Sequence, residues 1–421
     1  RGDYSKNPLI HFRAHRHNPE IRGRPADDEP SLAREIKRFS KPGPYFEEVG
    51  PGVRGKTQAM LLAYYLPQFH SFKENDAWWG KGFTEWTNLS RGVPRFVGHY
   101  QPRVPRDLGF YTLDSSKPMR NQIALALANG ISGFIFYYYW FNGKQLMDQP
   151  VRRFRADKTL EMKYALMWAN ESWTRRWDGA DSEVLISQDY QLKHDNALIE
   201  NFAENFKDPR YIRLEGRPLL MVYRADNIPD VRAALDRWRM ILLSKFKEMP
   251  IFVMAQTCDS LDPFEYGFDG AVEFPPHKLI SKLPSANAHF TYLDTDFSGN
   301  ILHYDNVVDA SLGNGTPPYP LIKTAIPSWD NDARREGAGI TIVGSTPAKY
   351  EAWLSKLVDR ARTRPFFGTP LVCVNAWNEW CEGAYLEPDQ YFGGAYLNAT
   401  ARAMSEKTAN MENSALTVDV A

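Results

Sequence analysis

The chain of 421 residues is poor in cysteine, carries no net charge and contains no long apolar run. Each absence removes a class of protein. Three cysteines, Cys258, Cys373 and Cys381, give no disulfide framework. Cys258 and Cys373 lie in or beside apolar runs and read as inert core residues. No apolar stretch reaches the ~18 residues of a spanning helix, so no membrane span is expected. Lys+Arg and Asp+Glu both total 51, which argues against nucleic acid or an anionic membrane as the main ligand. There is no H-E-x-x-H and no zinc-spaced Cys/His cluster, so no metal site is expected. A G-x-S-x-G elbow, a P-loop and a G-x-G-x-x-G turn after the first strand are also missing. No cofactor is expected.

Aromatic residues are abundant, with 12 Trp and 21 Tyr. They serve either a large core or a sugar site, where indoles and phenols offer an apolar face and a polar edge. Their position decides, and they cluster where strands end. Eight short apolar runs read as strands: 59–65, 133–139, 164–168, 218–223, 251–256, 270–274, 321–326 and 370–375. Helical patterns intervene, among them 117–128, 195–206, 231–247 and 347–362. Continuous apolar strands alternating with helices imply parallel strands buried on both faces. Eight such repeats predict an α/β fold, a (β/α)8 barrel, over residues 57–404. Residues 1–56 read as an N-terminal arm or linker to an upstream region, with one short helix from Ser31 to Phe39. Residues 405–421 read as a frayed tail.

A barrel of this kind places chemistry just after its strands. After the eighth comes Asn375-Ala-Trp-Asn-Glu-Trp-Cys-Glu-Gly383, with Glu379 and Glu382 three residues apart and Trp377, Asn378 and Trp380 around them. Two close carboxylates beside indoles match glycosidic-bond chemistry: one protonates the leaving oxygen, and the other acts at the sugar. Mutual repulsion also keeps one of such a pair protonated at neutral pH. Glu379 and Glu382 are therefore the expected catalytic residues. Glu387 serves either as a third pocket acid or as structure.

The other strand ends supply expected sugar contacts. Tyr64, Gln68 and His70 follow the first strand, and a long insertion then brings Trp79, Lys81, Glu85 and Trp86. Tyr138, Trp140 and Asn142 follow the second. Trp168, Asn170, Glu171, Trp173 and Arg176 follow the third, and Tyr223 the fourth. Asn170-Glu171 either positions a sugar hydroxyl or braces Arg175 or Arg176, and Trp173 and Trp177 form either a stacking wall or ordinary packing.

Several of these runs, in order, resemble the WbsX-type, family-99-like glycoside hydrolase domain. They are Ala63-Tyr-Tyr-Leu-Pro-Gln-Phe-His70, Glu74-Asn-Asp-Ala-Trp-Trp-Gly-Lys-Gly-Phe-Thr-Glu-Trp86, Gly98-His-Tyr-Gln-Pro102, Tyr138-Tyr-Trp-Phe-Asn-Gly143, Trp168-Ala-Asn-Glu-Ser-Trp-Thr-Arg-Arg-Trp-Asp178 and the motif of the eighth strand. The resemblance covers residues 58–400. It implies a (β/α)8 barrel and a role in bacterial surface polysaccharides, and many members carry a glycosyltransferase label. Family 99 hydrolases are retaining, endo-acting enzymes on α-mannosides. By resemblance, Glu379 assists attack by the substrate's own 2-hydroxyl, and Glu382 is the general acid and then base. Cys381 stands where those hydrolases usually have His, and the surrounding loops match the WbsX-type group better. The expected activity is retaining hydrolysis of α-linked mannose-like or deoxysugar residues in a polysaccharide. The rivals are a glycosyltransferase and a carbohydrate-binding protein without turnover. Asp294-Thr-Asp296 matches a metal-dependent transferase pattern by letter only.

Overall fold

A computed structural model describes residues 30–175, 180–257, 262–313 and 315–406. Arg176, Trp177, Cys258 and nearly all of the tail lie outside them. Eight parallel strands form the centre: β1 Met60–Tyr65, β2 Ile131–Phe141, β3 Lys163–Trp168, β4 Arg217–Val222, β5 Ile251–Gln256, β6 Gly270–Glu273, β7 Leu321–Ala325 and β8 Leu371–Val374. Each pairs with its successor, and β1 pairs with both β2 and β8, so the sheet closes into a barrel. The closing register sets Met60 opposite Leu371 and Leu61 opposite Ile131. Strands buried on both faces need no polar alternation. All six residues of β5 are accordingly buried, although only the last is polar.

Helices wrap the barrel: α1 Leu32–Phe39, α2 Ser116–Ala128, α3 Gln149–Ala156, α4 Asp195–Phe206, α5 Val231–Ile241, α6 Tyr304–Gly313, α7 Pro347–Thr363 and α8 Ala395–Met404. α7 shows how sequence sets such an element. Thr346 caps it by accepting the amide of Lys349, and Pro347 opens the first turn, where no amide partner is lost. Tyr350, Trp353, Leu354, Leu357, Val358 and Ala361 then form one buried stripe. The passage from β5 to β6 carries a short 3-10 turn, Pro263–Tyr266, in place of a helix among its described residues.

Residues 30–58 lie on the barrel. The Glu35 carboxylate accepts the Gly98 amide, the Gly43 amide donates to Tyr391, and the Val53 amide donates to Ala128. Segments before and after β7 build a small sheet, in which Ile340–Val343 pairs parallel to Asn300–His303 and antiparallel to Trp329–Asp330. Its turn carries a short helix, Asp332–Arg335, over the mouth of the barrel.

Candidate active site

Past β8, the amide of Trp377 donates to Tyr64, extending the pairing with β1. Asn378 then fastens both backbone groups of Leu66: its Oδ1 accepts the Leu66 amide at 2.8 Å and its Nδ2 donates to the Leu66 carbonyl at 3.0 Å. Asn378–Glu379 pairs antiparallel with Ala384–Tyr385 around the turn Trp380–Glu382. Gly383 closes that turn at φ 60°, a left-handed conformation that favours glycine. A pinned hairpin of this kind holds two side chains at fixed positions. It points Glu379 and Glu382 into a cavity of about 300 Å³ at the C-terminal end of the barrel.

One cation meets both. Arg334 Nη1 bonds Glu382 Oε1 at 2.5 Å, and Nη2 bonds Glu379 Oε2 at 3.1 Å. Nη2 and Nε also reach Glu85 Oε2, at 2.9 and 3.2 Å. One guanidinium thus serves three carboxylates. Burial first, then repulsion from Glu382, pushes the Glu379 carboxyl up to about 8, against the pull of Arg334. Burial also raises Glu382, although its side chain is 23% exposed, on the cavity side. The two carboxyls titrate as a coupled pair that retains a proton near neutrality.

The segment that carries Arg334 is fixed in turn by buried acids. Asp330, on the small sheet, accepts from His99 Nε2 at 2.9 Å and Gln101 Nε2 at 2.8 Å. Through its other oxygen it accepts the amide of Asp332 at 3.1 Å. His99 holds the Asp330 carboxyl well below the usual range despite burial, with Arg103 adding to the effect. Asp332 accepts the Gly337 amide and the Arg95 guanidinium, each at 2.8 Å. The turn from Asp330 to Gly337, which contains Arg334, is thereby tied on both sides.

Of the residues expected from sequence, Gln68, Trp79, Glu171, Trp173, Tyr223, Glu379 and Glu382 line the cavity. Glu171 also pairs with Arg224 at 2.8 Å. The other expected residues among those described do not line it. Tyr138 and Trp140 sit on the outer side of β2, where Tyr138 packs on Phe202 of α4, while their neighbours Tyr137 and Tyr139 face inward. Trp168 packs outward on Trp238 of α5. Tyr64 is buried in the barrel against Tyr137. His70 turns back to the Pro67 carbonyl at 2.8 Å, and burial lowers its pKa. Lys81 is exposed. Trp86 donates to the Tyr111 carbonyl at 2.7 Å. Asn142 ties Ser187 and Asp189, and Asn170 ties Arg224 and Tyr190. Trp377 is fully buried, and Asn378 braces Leu66.

Trp380 stacks on Tyr385 at 3.8 Å and donates to Glu387 at 2.7 Å, behind the cavity wall. Glu387 also accepts from Gln122 and Tyr111, and burial pushes it up to about 7. It is a buried acceptor in the hairpin's support. Glu85 meets the cavity only through Arg334.

Sequence reasoning missed Arg334 altogether, along with Asn75, Arg335 and the inward Tyr137 and Tyr139. His277, also a lining residue, meets Tyr223 Oη through Nε2 at 3.2 Å. Burial, then Arg224, pushes it down to about 4, so it is neutral at pH 7. No helix among the described residues is long and apolar enough to cross a membrane.

Residues 61–400 match the family model described as Glycosyltransferase WbsX. The chain is 42% identical over 347 residues to the uncharacterized protein WxcX of Xanthomonas campestris pv. campestris, in strains ATCC 33913 and B100. That alignment takes in 82% of this chain and 50% of WxcX, so the chain spans about half the length of the curated relatives it matches. Among solved structures, a glycoside hydrolase-like protein aligns at TM-score 0.54 and 16% identity, over 89% of this chain and 99% of that one. The GH99 endo-alpha-mannosidase from Bacteroides thetaiotaomicron aligns at TM-score 0.50 and 15% identity, over 83% of this chain and 97% of that one. At such identities the likeness shows the shared barrel fold.

Proposed function

The chain belongs to the WbsX glycosyltransferase family, and from that premise we propose that it is a glycan-acting enzyme, specifically a retaining glycoside hydrolase. Its substrate would be α-linked mannose-like or deoxysugar residues of a bacterial-type polysaccharide. The observation that carries this reading is the pair Glu379 and Glu382 on one guanidinium, facing a cavity walled by Trp79, Trp173 and Tyr139. Two carboxyls sharing one cation sit close, as the retaining arrangement needs. A pair that keeps one proton at neutral pH holds an acid and a base at once. In the reaction, the protonated carboxyl gives its proton to the leaving glycosidic oxygen. The ionised one takes the proton of the sugar's own 2-hydroxyl as that oxygen attacks the anomeric carbon and the glycosidic bond breaks, giving a 1,2-anhydro sugar. The first, now ionised, takes a proton from the water that opens this ring, and the second returns its proton to the 2-oxygen. Glu382, which faces the cavity more openly, is assigned the acid/base role, the pair's shared proton passing to it from Glu379 as substrate binds, and Glu379 the assisting role. Arg334 orients both and limits their repulsion. The GH99 label of a solved neighbour supports the α-mannoside class.

Transfer to a growing polysaccharide is the second reading, favoured by the family's description. The same carboxyl pair would then activate an acceptor hydroxyl in place of water. One experiment separates the two. Wild type and Glu382→Gln are incubated with α-mannans, rhamnose-rich polymers and bacterial O-polysaccharides, without any nucleotide sugar. New reducing ends from wild type alone support hydrolysis. No release from any polymer, with turnover on adding a nucleotide sugar, replaces it with transfer.

A further inference from the structure

The wall that follows β1 holds polar atoms the protein itself does not satisfy. Asn75, on the short helix Lys73–Trp79, is 1% exposed, and neither its Oδ1 nor its Nδ2 has a hydrogen-bond partner. Gln68 is 3% exposed, and its Nε2 is likewise unpartnered. Both line the cavity beside Trp79 and Tyr139. Each such atom has given up its bonds to water, and Asn75 stands apart among the described residues: Asn88, Asn129, Asn205 and Asn375 leave only the amide oxygen unpartnered, whereas Asn75 leaves both ends. The amides of Asn142, Asn170 and Asn378 show the usual outcome, each tied to backbone or side chain.

We propose that Asn75 is a specificity-determining residue: with Gln68, it reads two neighbouring hydroxyls of a neutral pyranose that lies against Trp79. The inference rests on the carbohydrate reading of the cavity and adds the chemical class of the sugar. An amide offers one acceptor and a donor pair side by side, which complements a vicinal diol, whose hydroxyls each donate and accept. Trp79 supplies the apolar face beside it. Gln68, Asn75, Trp79 and Tyr139 are all uncharged at neutral pH, so this wall offers a carboxylate or phosphate no cation. The two cations that line the cavity, Arg334 and Arg335, both sit on the short helix Asp332–Arg335 and not on this wall, and Arg334 is already engaged by three carboxylates. The sugar unit held against this wall is therefore neutral and keeps two adjacent free hydroxyls.

Binding and stability together test this. The Glu382→Gln protein, which holds glycan without turnover, is compared with the same protein carrying Asn75→Leu or Asn75→Ala. The probes are α-mannan, a rhamnan and polygalacturonate. The parent should bind a neutral polymer and not the uronate. Each Asn75 variant should weaken that binding about tenfold or more, the scale of losing a hydrogen bond that a site is built to make. Their melting temperatures should equal or exceed the parent's, because an unsatisfied amide has been removed. A fall of more than about 3 °C in both variants would show that Asn75 is structural and overturn the proposal. So would binding within twofold of the parent, or preference for the uronate. A parent that binds no glycan refutes the carbohydrate reading itself, whereas bound glycan indifferent to Asn75 refutes this inference alone.

Discussion

Replacing Arg334 by Met removes the cation that bonds Glu85, Glu379 and Glu382 together, through contacts of 2.5 to 3.2 Å. Breaking a buried ion pair from one side costs roughly 3–5 kcal/mol. Here the loss should depend on pH, because an orphaned carboxylate can take up a proton instead. A carboxyl that stays neutral in the folded variant is ionised in the unfolded chain above pH ~4.3, so its folded pKa is raised. Such a group leaves stability intact below the unfolded pKa and removes it progressively as pH rises. Each further carboxyl forced to stay protonated costs about 1.4 kcal/mol per pH unit, or roughly 5 kcal/mol at pH 8 and 1 kcal/mol at pH 5. Thermal unfolding of wild type and Arg334→Met, followed by circular dichroism at both pH values, measures this. The variant should melt on the order of 5 °C or more below wild type at pH 8, and nearly with it at pH 5. An equal or larger deficit at pH 5 would refute the charge argument, because apolar packing lost with Arg334 has no reason to depend on pH.

Other outcomes follow from the same cluster. Glu382→Gln should lower turnover by roughly 10²–10⁴-fold with glycan binding largely kept, as seen in initial rates beside a binding titration. Glu85→Gln removes a negative neighbour that raises Glu379 and Glu382, so the alkaline limb of the pH–rate profile should move to lower pH; a limb that stays put would separate Glu85 from the pair. Asp330→Asn should cost about 3–5 kcal/mol at neutral pH, since it removes the anion that faces buried Arg103 at 3.7 Å. Asp330 has a depressed folded pKa, so it contributes stability above the usual aspartate pKa and loses it as pH falls through the folded value. The deficit of Asp330→Asn, measured by denaturant unfolding, should therefore shrink in strong acid.

The barrel was readable because its strands are buried on both faces. Leu61-Leu-Ala-Tyr-Tyr65 and Ile251-Phe-Val-Met-Ala255 are near-continuous apolar runs that sit between helical patterns, and β5 spans the range its sequence predicts. Glu379 and Glu382 were readable because a single short hairpin carries both. Which aromatics face the cavity was not. Tyr137-Tyr-Tyr-Trp140 has no polar alternation, so the sequence does not say which parity points inward. The register of β2 against β3 decides it, with Tyr137 opposite Met167 and Tyr138 opposite Trp168. The polar residues nearest the motif misled for a related reason. Asn378 and Glu387 hydrogen-bond within the hairpin and its support, and the chemistry of such groups looks the same in sequence whether they hold protein or sugar.

Arg334 was hidden by distance along the chain. It lies 45 residues before Glu379 and nine after the end of β7, in a turn whose sequence, Asp332-Ala-Arg-Arg335, reads as an ordinary solvated helix. What brings it to the carboxylates is Asp330, whose buried carboxyl is satisfied from the insertion after β1 by His99 and Gln101. Glu85, from the same insertion, takes the far edge of the guanidinium. One long insertion thus fixes the cation at both ends, through Asp330 behind it and Glu85 beside it, while the motif after β8 presents the two acids. The resemblance in Glu74 to Trp86 and in Gly98 to Pro102 therefore has a mechanical cause. Apart from Asn75 and Trp79, those residues avoid the cavity, and they set where the cation sits that holds Glu379 and Glu382 together.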